Sequence, residues 1–464
     1  MGERDHHGHI MTKRYITIHG NHRQDAAQPI DWVLVSVVLL LTVLGLVMAY
    51  STTFFWSHVS EGNPLVIFGR QVLFAGLGLL AFTLSSRLDY GLYRRLAVPI
   101  MAGCLIMLVG VILFGDDVFG ARRTLLNGSV QPSELAKLGV IIYAAAWLAS
   151  RRDQVRSISN GLLPFGVIIG SVCFLIVIQP DLSTAVVITI VAAVMFFLAG
   201  ASWQQLALVA LIAAAAFGTL IVTLPHATAR LNEFLKVWQT PDDINYHIRQ
   251  SLITLGSGGL FGNGIGAGGQ KFGYLPTPHT DSVLAVLGEE LGLIGLLFVL
   301  ALFALFVWRG LRIAQQADTA FGAFIAVGIV TWVIAQLLLN LLATLAIIPF
   351  TGMPVPFLSV GGSSLFALLL ASGVVVSIGR GSHMPYLERA PVEYSESAQI
   401  KVKGGKPIHA HPALRRRNSW TRFACAYRVE SAHGAGAFFK RVHPLKFGRG
   451  HSGIVRGRGR WHGT

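Results

Sequence analysis

Charge is scarce along most of this chain. Charged residues make up 13% of it against 53% hydrophobic residues, and the mean hydropathy is +0.60. A soluble protein of this length carries roughly twice that share of charge, so a soluble globular enzyme is excluded and an integral membrane protein remains. Cysteine is scarcer still. Cys104 and Cys173 fall inside apolar runs and Cys425 in the C-terminal tail, and their spacing suits neither a metal site nor a disulfide framework. No Gly-Lys-Ser/Thr follows the glycine-rich stretch 256–269, which excludes a nucleotide P-loop. No repeat of solenoid period is present. The first apolar run, Ile30 to Phe55, is too long for a signal-peptide core and lacks a clear small-x-small cleavage site, so a retained signal anchor is expected.

Basic residues are concentrated at the end of the chain. The net charge is +15, yet residues 381–464 hold 16 Lys/Arg and 4 Asp/Glu, while the other 380 hold 21 and 18. The basic character therefore belongs to a tail, expected to be a disordered, solvated cytoplasmic extension. Such a tail can lie on anionic membrane lipid at roughly 1 kcal/mol per basic residue near the surface. Nucleic acid, which a basic tail also permits, is not expected as a partner.

What the chain has in abundance is apolar runs of spanning length. Ten are placed near 31–55, 66–86, 96–115, 133–150, 162–180, 181–200, 204–225, 282–308, 321–348 and 356–379. The fold class is thus an all-α polytopic membrane protein of about ten transmembrane helices. A segment of 1–29 precedes the membrane domain (30–380), and a long loop, 226–280, separates spans seven and eight. Arg87, Arg94 and Arg95 follow span two; Arg151, Arg152 and Arg156 follow span four; Arg309 and Arg312 follow span eight; Arg380 follows span ten. All share one side, which puts both termini in the cytoplasm and the loops 116–132 and 226–280 outside.

Polar residues at membrane depth are expensive and mark candidate sites. Four groups stand out. In Gly120 to Lys137, Pro132-Ser133-Glu134 reads as a helix start. Glu134 and Lys137 share a helix face, as a structural staple or a charged binding surface. Arg122 and Arg123 lie on the outer side, where few arginines are expected, and their guanidinium groups suit an anion. In Gln179-Pro-Asp181-Leu-Ser183-Thr184, Asp181 either caps the sixth span or faces the same polar cavity as Glu134. In Lys271 to Gly292, Asp281 stands at the mouth of span eight, as a helix cap or as a general base open to a substrate in the outer leaflet. His279 is read as an orienting or structural residue. Of Glu289 and Glu290, one is expected to face a polar interior or an ion pair and the other a neighbouring helix. In Pro349 to Ser364, broken by Pro and Gly, irregular backbone lining a cavity and close helix packing both remain open. Residues 245–255 have helical spacing, and the amides of the glycine-rich stretch after them serve either as a phosphate cradle or as a tight turn.

In combination, Gln131-Pro-Ser-Glu-Leu-Ala-Lys137, Gln179-Pro-Asp-Leu-Ser-Thr184, His279-Thr-Asp281 and Gly361-Gly-Ser-Ser364 resemble the SEDS family (shape, elongation, division and sporulation), over roughly residues 30–380. Gly288-Glu-Glu-Leu-Gly292 and Gln270-Lys271 lean towards its FtsW members rather than RodA. The resemblance implies a peptidoglycan glycosyltransferase that polymerises lipid II at the outer face of the cytoplasmic membrane, in cell division, with a class B penicillin-binding protein and other division or elongation proteins as partners. It implies Asp281 as the catalytic carboxylate, with Glu134, Lys137 and Asp181 in support. Arg122, Arg123, Lys137 and Lys271 are then candidates to meet the developing charge of a pyrophosphate leaving group, with His279 and Ser363 also against the substrate. No resident cofactor is required, although a divalent cation, Mg or Mn, could share that work. Ser282 departs from the family's common phenylalanine, Thr277 from glutamate, Ser183 from glycine and Val360 from tyrosine. A lipid II flippase and a non-catalytic division scaffold are the competing readings.

Overall fold

The computed structural model describes residues 29–118, 121–124, 131–239 and 245–381. The segment 1–28 and the tail from 382 onward lie outside them.

The chain winds back and forth as a helical bundle. In order come α1 (Trp32–Glu61), α2 (Val66–Arg87), a single turn α3 (Gly91–Arg95), α4 (Ala97–Phe114), the strands β1 (Asp116–Val118) and β2 (Ala121–Thr124), α5 (Pro132–Ser150), α6 (Leu163–Ile178) and α7 (Leu182–Leu198). Then follow α8 (Trp203–Thr223), α9 (Pro225–Gln239), α10 (Tyr246–Ser257), α11 (Val283–Gln316), α12 (Ala320–Thr344) and α13 (Gly362–Arg380). Among the described residues nine helices are long and apolar enough to cross a membrane, and α7, of 17 residues, is a shorter apolar helix in the place of the sixth expected span. The ten expected runs are therefore all helical. A short antiparallel hairpin, β1 with β2, is added between α4 and α5.

Helices α1 and α11 run on past the expected ends, to Glu61 instead of 55 and to Gln316 instead of 308, and two other boundaries fall short. The ninth run ends at Thr344 instead of 348, and the tenth begins at Gly362 instead of 356. Pro349, Pro354 and Pro356 lie between, and proline supplies no amide hydrogen for a helix.

Close packing of the bundle depends on small residues. A Cβ on Gly373 of α13 would collide with Ser85 Oγ of α2, and one on Gly78 of α2 would stand 2.6 Å from Leu369 Cδ1. These glycines let α2 and α13 approach nearly backbone to backbone. The helices α5, α12 and α13 form the buried centre, while of α8 only Gln205 is buried. A helix that is apolar all round and exposed to its surroundings faces lipid.

The basic loops collect at one end. There Arg309 pairs with Asp31 at 2.5 Å, Arg380 donates to the Ser86 carbonyl at 3.1 Å, and Gln205 donates to the Val155 carbonyl at 3.0 Å. Arg152 lies over the ring of Phe324 near the start of α12. The N-termini of α5, α7, α11 and α13 and the C-termini of α1, α6 and α12 meet at the opposite end, which carries Asp281.

Candidate functional site

Asp281 sits in the turn 276–282 that leads into α11. Its carboxylate does not cap that helix: Ser282 holds the cap position, and no side chain bonds the first turn. The turn is held through its carbonyls. Val360 N donates to the His279 carbonyl at 2.8 Å, Ser359 Oγ to the Thr280 carbonyl at 2.5 Å and Asn340 Nδ2 to the Asp281 carbonyl at 2.8 Å. Three consecutive carbonyls are thus fixed from outside the turn, which leaves the Asp281 backbone little freedom.

The donors come from α12 and from the irregular stretch between α12 and α13, and that stretch is itself tied down. Asn340 Nδ2 also donates to the Met353 carbonyl at 2.5 Å, and Gln336 Nε2 to the Pro354 carbonyl at 2.7 Å. Arg230 Nη1 lies 3.4 Å from the Thr351 carbonyl, which also accepts from Ser183 Oγ. The Pro/Gly-broken segment has irregular backbone beside Asp281, and it also packs closely, since a Cβ on Gly362 would collide with the Phe74 ring.

Two arginines define the electrostatics. Arg230 reaches from α9 with an exposed side chain. A Cβ on Gly352 would lie 3.6 Å from Arg230 Nη2 and 3.6 Å from Asp281 Oδ2, so this glycine (φ +62°) separates cation from anion. Burial pushes the Asp281 carboxyl up to about 6, while the charges of Arg230 and Arg123 pull it the other way. Partial loss of water around the otherwise exposed guanidinium and the charge of Arg123 lower the affinity of Arg230 for its proton, against the pull of Asp281, Glu233 and Asp181. Arg123 donates from Nε to the Gln179 carbonyl at 3.1 Å and from Nη2 to the Pro180 carbonyl. A cation is well placed there, beside the C-terminus of α6. Arg122 pairs through its backbone with Asp117 in the hairpin, and its side chain lies outside what the structure describes.

Asp181 caps a helix, and its second oxygen bonds the start of α5 rather than Glu134. Its Oδ1 caps α7 by accepting from Thr184 N at 3.2 Å, and its Oδ2 meets Gln131 Nε2 and Ser133 Oγ, each at 3.3 Å. Ser363 Oγ accepts from Gln131 N at 3.1 Å, which ties the start of α5 to the start of α13.

Glu134, Lys137 and Lys271 are engaged in buried ion pairs. Glu134 and Lys137 are each 2% exposed, and Lys137 Nζ lies 2.8 Å from both Glu134 oxygens and 3.0 Å from Gln336 Oε1. The pair is a buried staple that supports Gln336, and through it the 349–361 segment, from behind. Lys271 is equally buried. Its Nζ contacts Glu290 Oε1 at 2.5 Å, Ser51 Oγ at 2.7 Å and the Gly266 carbonyl at 2.8 Å. Its donors are thus occupied, tying the glycine-rich loop to α1 and α11. Glu289 does not face a neighbouring helix: its Oε1 accepts from Gly269 N at 2.9 Å and from Gln270 N at 3.3 Å. Those loop amides cradle a carboxylate of the protein itself, and the phosphate cradle entertained for them gives way to tight packing. The loop inserts where α11 is broken at Gly292 (φ 69°, ψ −172°), with Leu293 N donating to the Gly259 carbonyl at 3.0 Å. His279 is held low in pKa by burial, and its ring lies 6.3 Å from that of Trp56.

Arg230, Asn340 and Gln336 were not among the sequence candidates. The signal for Arg230 was an arginine on the side of the membrane where few are expected. For the two amides it was a polar side chain inside an apolar span.

A divalent cation finds few protein ligands here. Among the described residues no three His, Cys, Asp or Glu side chains converge as a metal site. Asp281 would offer one carboxylate, and the remaining ligands would have to come from the substrate or from water.

Residues 31–383 match the cell cycle protein family of FtsW, RodA and SpoVE. Stage V sporulation protein E of Bacillus subtilis (strain 168) is 38% identical over 356 residues, which cover 76% of this chain and 97% of that protein. A probable peptidoglycan glycosyltransferase FtsW of Geobacter sulfurreducens (strain DL-1 / KN400) is 36% identical over 352 residues, 75% of this chain and 94% of that one. Among solved structures, the rod shape determining protein RodA of Thermus thermophilus aligns with a TM-score of 0.57 at 29% identity, covering 76% of this chain and 97% of that chain. A chain of a peptidoglycan synthase complex, whose structure concerns the coordination of polymerization and crosslinking, aligns with a TM-score of 0.62 at 27% identity, covering 76% and 98%. The match runs through the whole membrane bundle and includes every element that holds Asp281, and the chain belongs to the FtsW, RodA and SpoVE family of cell cycle proteins as a multi-pass membrane protein.

Proposed function

We propose that this protein is a peptidoglycan glycosyltransferase that polymerises lipid II, with Asp281 as the general base. The observation that carries the reading is the Asp281 turn, fixed at three consecutive carbonyls beside Arg230 and Arg123. A sugar hydroxyl is a weak nucleophile. A carboxylate that takes its proton as the oxygen attacks the anomeric carbon lowers the barrier, and a pKa near 6 leaves that carboxylate ionised yet basic at neutral pH. The new C–O bond forms as the bond to pyrophosphate breaks, and the electron pair leaves with the pyrophosphate. Arg230 and Arg123 are the cations positioned to offset that charge. Attack opposite the leaving group inverts the anomeric centre, so an α-linked donor yields a β-linked strand without a covalent intermediate. Lys137 and Lys271, each engaged in a buried ion pair, are assigned structural roles instead.

The positive-inside rule assigns the arginine-rich end of the bundle to the cytoplasm and the Asp281 end to the outer face of the cytoplasmic membrane. Lipid-linked donor and growing strand would meet there. The relative found in a peptidoglycan synthase complex supports a class B penicillin-binding protein as partner. A flippase would need charge distributed through the membrane depth. The buried pairs Glu134–Lys137 and Lys271–Glu290 both lie in the half of the bundle nearer Asp281, which favours chemistry over transport.

The test is gel analysis of lipid II incubated with wild-type protein and with Asp281→Asn, each with and without the cognate class B penicillin-binding protein. Glycan strands from the wild type alone support the reading. Strands from the variant, or none from the wild type with its partner, refute it.

A further inference from the structure

One side-chain contact joins the turn that carries Asp281 to α10. His247, near the start of α10, places Nε2 2.9 Å from Ser282 Oγ, and Ser282 Oγ lies 3.1 Å from the Pro276 carbonyl. A carbonyl only accepts, so the single hydroxyl hydrogen of Ser282 goes to Pro276, and Ser282 must accept from His247. Nε2 of His247 therefore carries the ring hydrogen. The ring is fixed on two further sides. Asn245 Oδ1 accepts from His247 N at 2.8 Å, and the imidazole meets Phe350 edge-on with centroids 4.0 Å apart. Phe350 belongs to the irregular segment that also anchors the Asp281 turn. Ser282 is 1% exposed, so its hydroxyl has no water to fall back on. A side chain without an oxygen at this position would have no atom able to accept from His247.

We propose that His247 and Ser282 form a positioning relay that holds Asp281 in register with Arg230 by bridging α10, the 276–282 turn and the 349–361 segment. The inference rests on the glycosyltransferase reading of the site. Both are positioning residues, acting on the reacting atoms only through Asp281. Ser282 is its chain neighbour, and a displacement of about 1 Å at a reacting group can cost a hundredfold in rate. The charges that act on the Asp281 carboxylate are those of Arg230 of α9 and Arg123 of β2; Glu233 of α9 and Asp181 before α7 act in turn on Arg230, and Arg230 acts on His247. Burial dominates the raised pKa of Asp281. A turn loosened by loss of the relay admits water, weakens that effect and lets the two arginines prevail.

The experiment uses the full chain reconstituted with its class B penicillin-binding protein and supplied with lipid II. Wild type is compared with Asp281→Asn, His247→Ala, His247→Gln, Ser282→Ala and Ser282→Thr. The two alanine variants are expected to lower kcat about tenfold, with KM for lipid II changed by less than about twofold. The acid limb of their pH profile is expected to move from near pH 6 towards the ordinary carboxylate range. His247→Gln keeps a donor and Ser282→Thr keeps the hydroxyl, so both should recover most of the rate. Alanine variants at the wild-type rate overturn the relay. So do slowed variants whose acid limb stays in place and which glutamine and threonine do not rescue, since loss of packing alone would do that. If His247→Ala does not fold, Ser282→Ala, which deletes one oxygen, decides the same point. A wild type without product overturns the glycosyltransferase reading, and the relay with it; an active wild type with unaffected variants overturns the relay alone.

Discussion

Replacing Asp281 with asparagine is expected to abolish polymerisation and, at neutral pH, to stabilise the folded protein. The sign follows from the raised pKa. Burial lifts this carboxyl from 3.8 to about 6, so the native state binds the proton more tightly than the unfolded chain does. The stability this group contributes is fully present below the unfolded value and is lost as pH rises through about 6. At pH 7.5 the wild type has lost it, whereas asparagine, which mimics the protonated acid, has not. A shift of about two units at about 1.4 kcal/mol each sets a ceiling of about 3 kcal/mol. Partial exposure of Asp281 reduces that to about 1–2 kcal/mol, a rise in Tm of roughly 2 °C for a bundle of this size. The assay is thermal unfolding of both proteins in the same detergent from pH 4 to pH 8. The advantage of the variant should be near zero at pH 4 and reach a plateau above pH 7. A variant less stable than wild type at pH 7.5, or an advantage that does not vary with pH, would refute the reasoning.

Four further outcomes are expected. In steady-state assays of the wild type, kcat/KM for lipid II should fall as pH drops through about 6, because Asp281 must be ionised to accept a proton; a limb near pH 4 would show that burial does not act on the working base. Arg230→Gln should lower kcat/KM about a hundredfold and leave thermal stability nearly unchanged, since the side chain is exposed; a loss under twofold in the same assay would remove Arg230 from the site. Lys271→Met strands Glu290 in the bundle and should cost about 3–5 kcal/mol, with much of it regained in Lys271→Met/Glu290→Leu; unfolding midpoints that do not separate the single from the double variant would contradict the assignment. The family match ends at residue 383, and truncation there should leave polymerisation in reconstituted vesicles intact; a folded but inactive truncation would give the basic tail a catalytic role.

A partly buried carboxylate whose neutralisation is expected to stabilise the fold follows a pattern common at active sites, where a group is held in a state costly to the folded protein. Arrangement around Asp281 follows the same logic. The donors on its turn come from α12 and the segment after it, so Asp281 is positioned by the centre of the bundle while its carboxylate feels the arginines of the hairpin and α9.

Much of the architecture was legible in the chain itself. Hydrophobic runs determine helices because a backbone in lipid must satisfy its own hydrogen bonds, and the asymmetric placement of Arg87, Arg151, Arg309 and Arg380 determined which ends of those helices lie together. The position of Asp281 at a span's mouth was equally legible, because a carboxylate beside an apolar run is costly and therefore informative. Only the tertiary structure decided which charges serve that aspartate. Lys137 and Lys271 look in sequence like cations for a leaving group, yet each meets a glutamate inside the bundle, since a buried lysine without a partner costs more than the fold can bear. Arg230 looks like one more residue of a long loop, and it comes near Asp281 because α9 folds back onto Thr351 of the Pro/Gly-broken segment, 121 residues further along the chain. Spacing along one helix reports only which side chains share a face. The placement of Arg230 and Asp281 on either side of Gly352, like the contact between His247 and Ser282, arises from packing between elements far apart in sequence, where no local pattern records it.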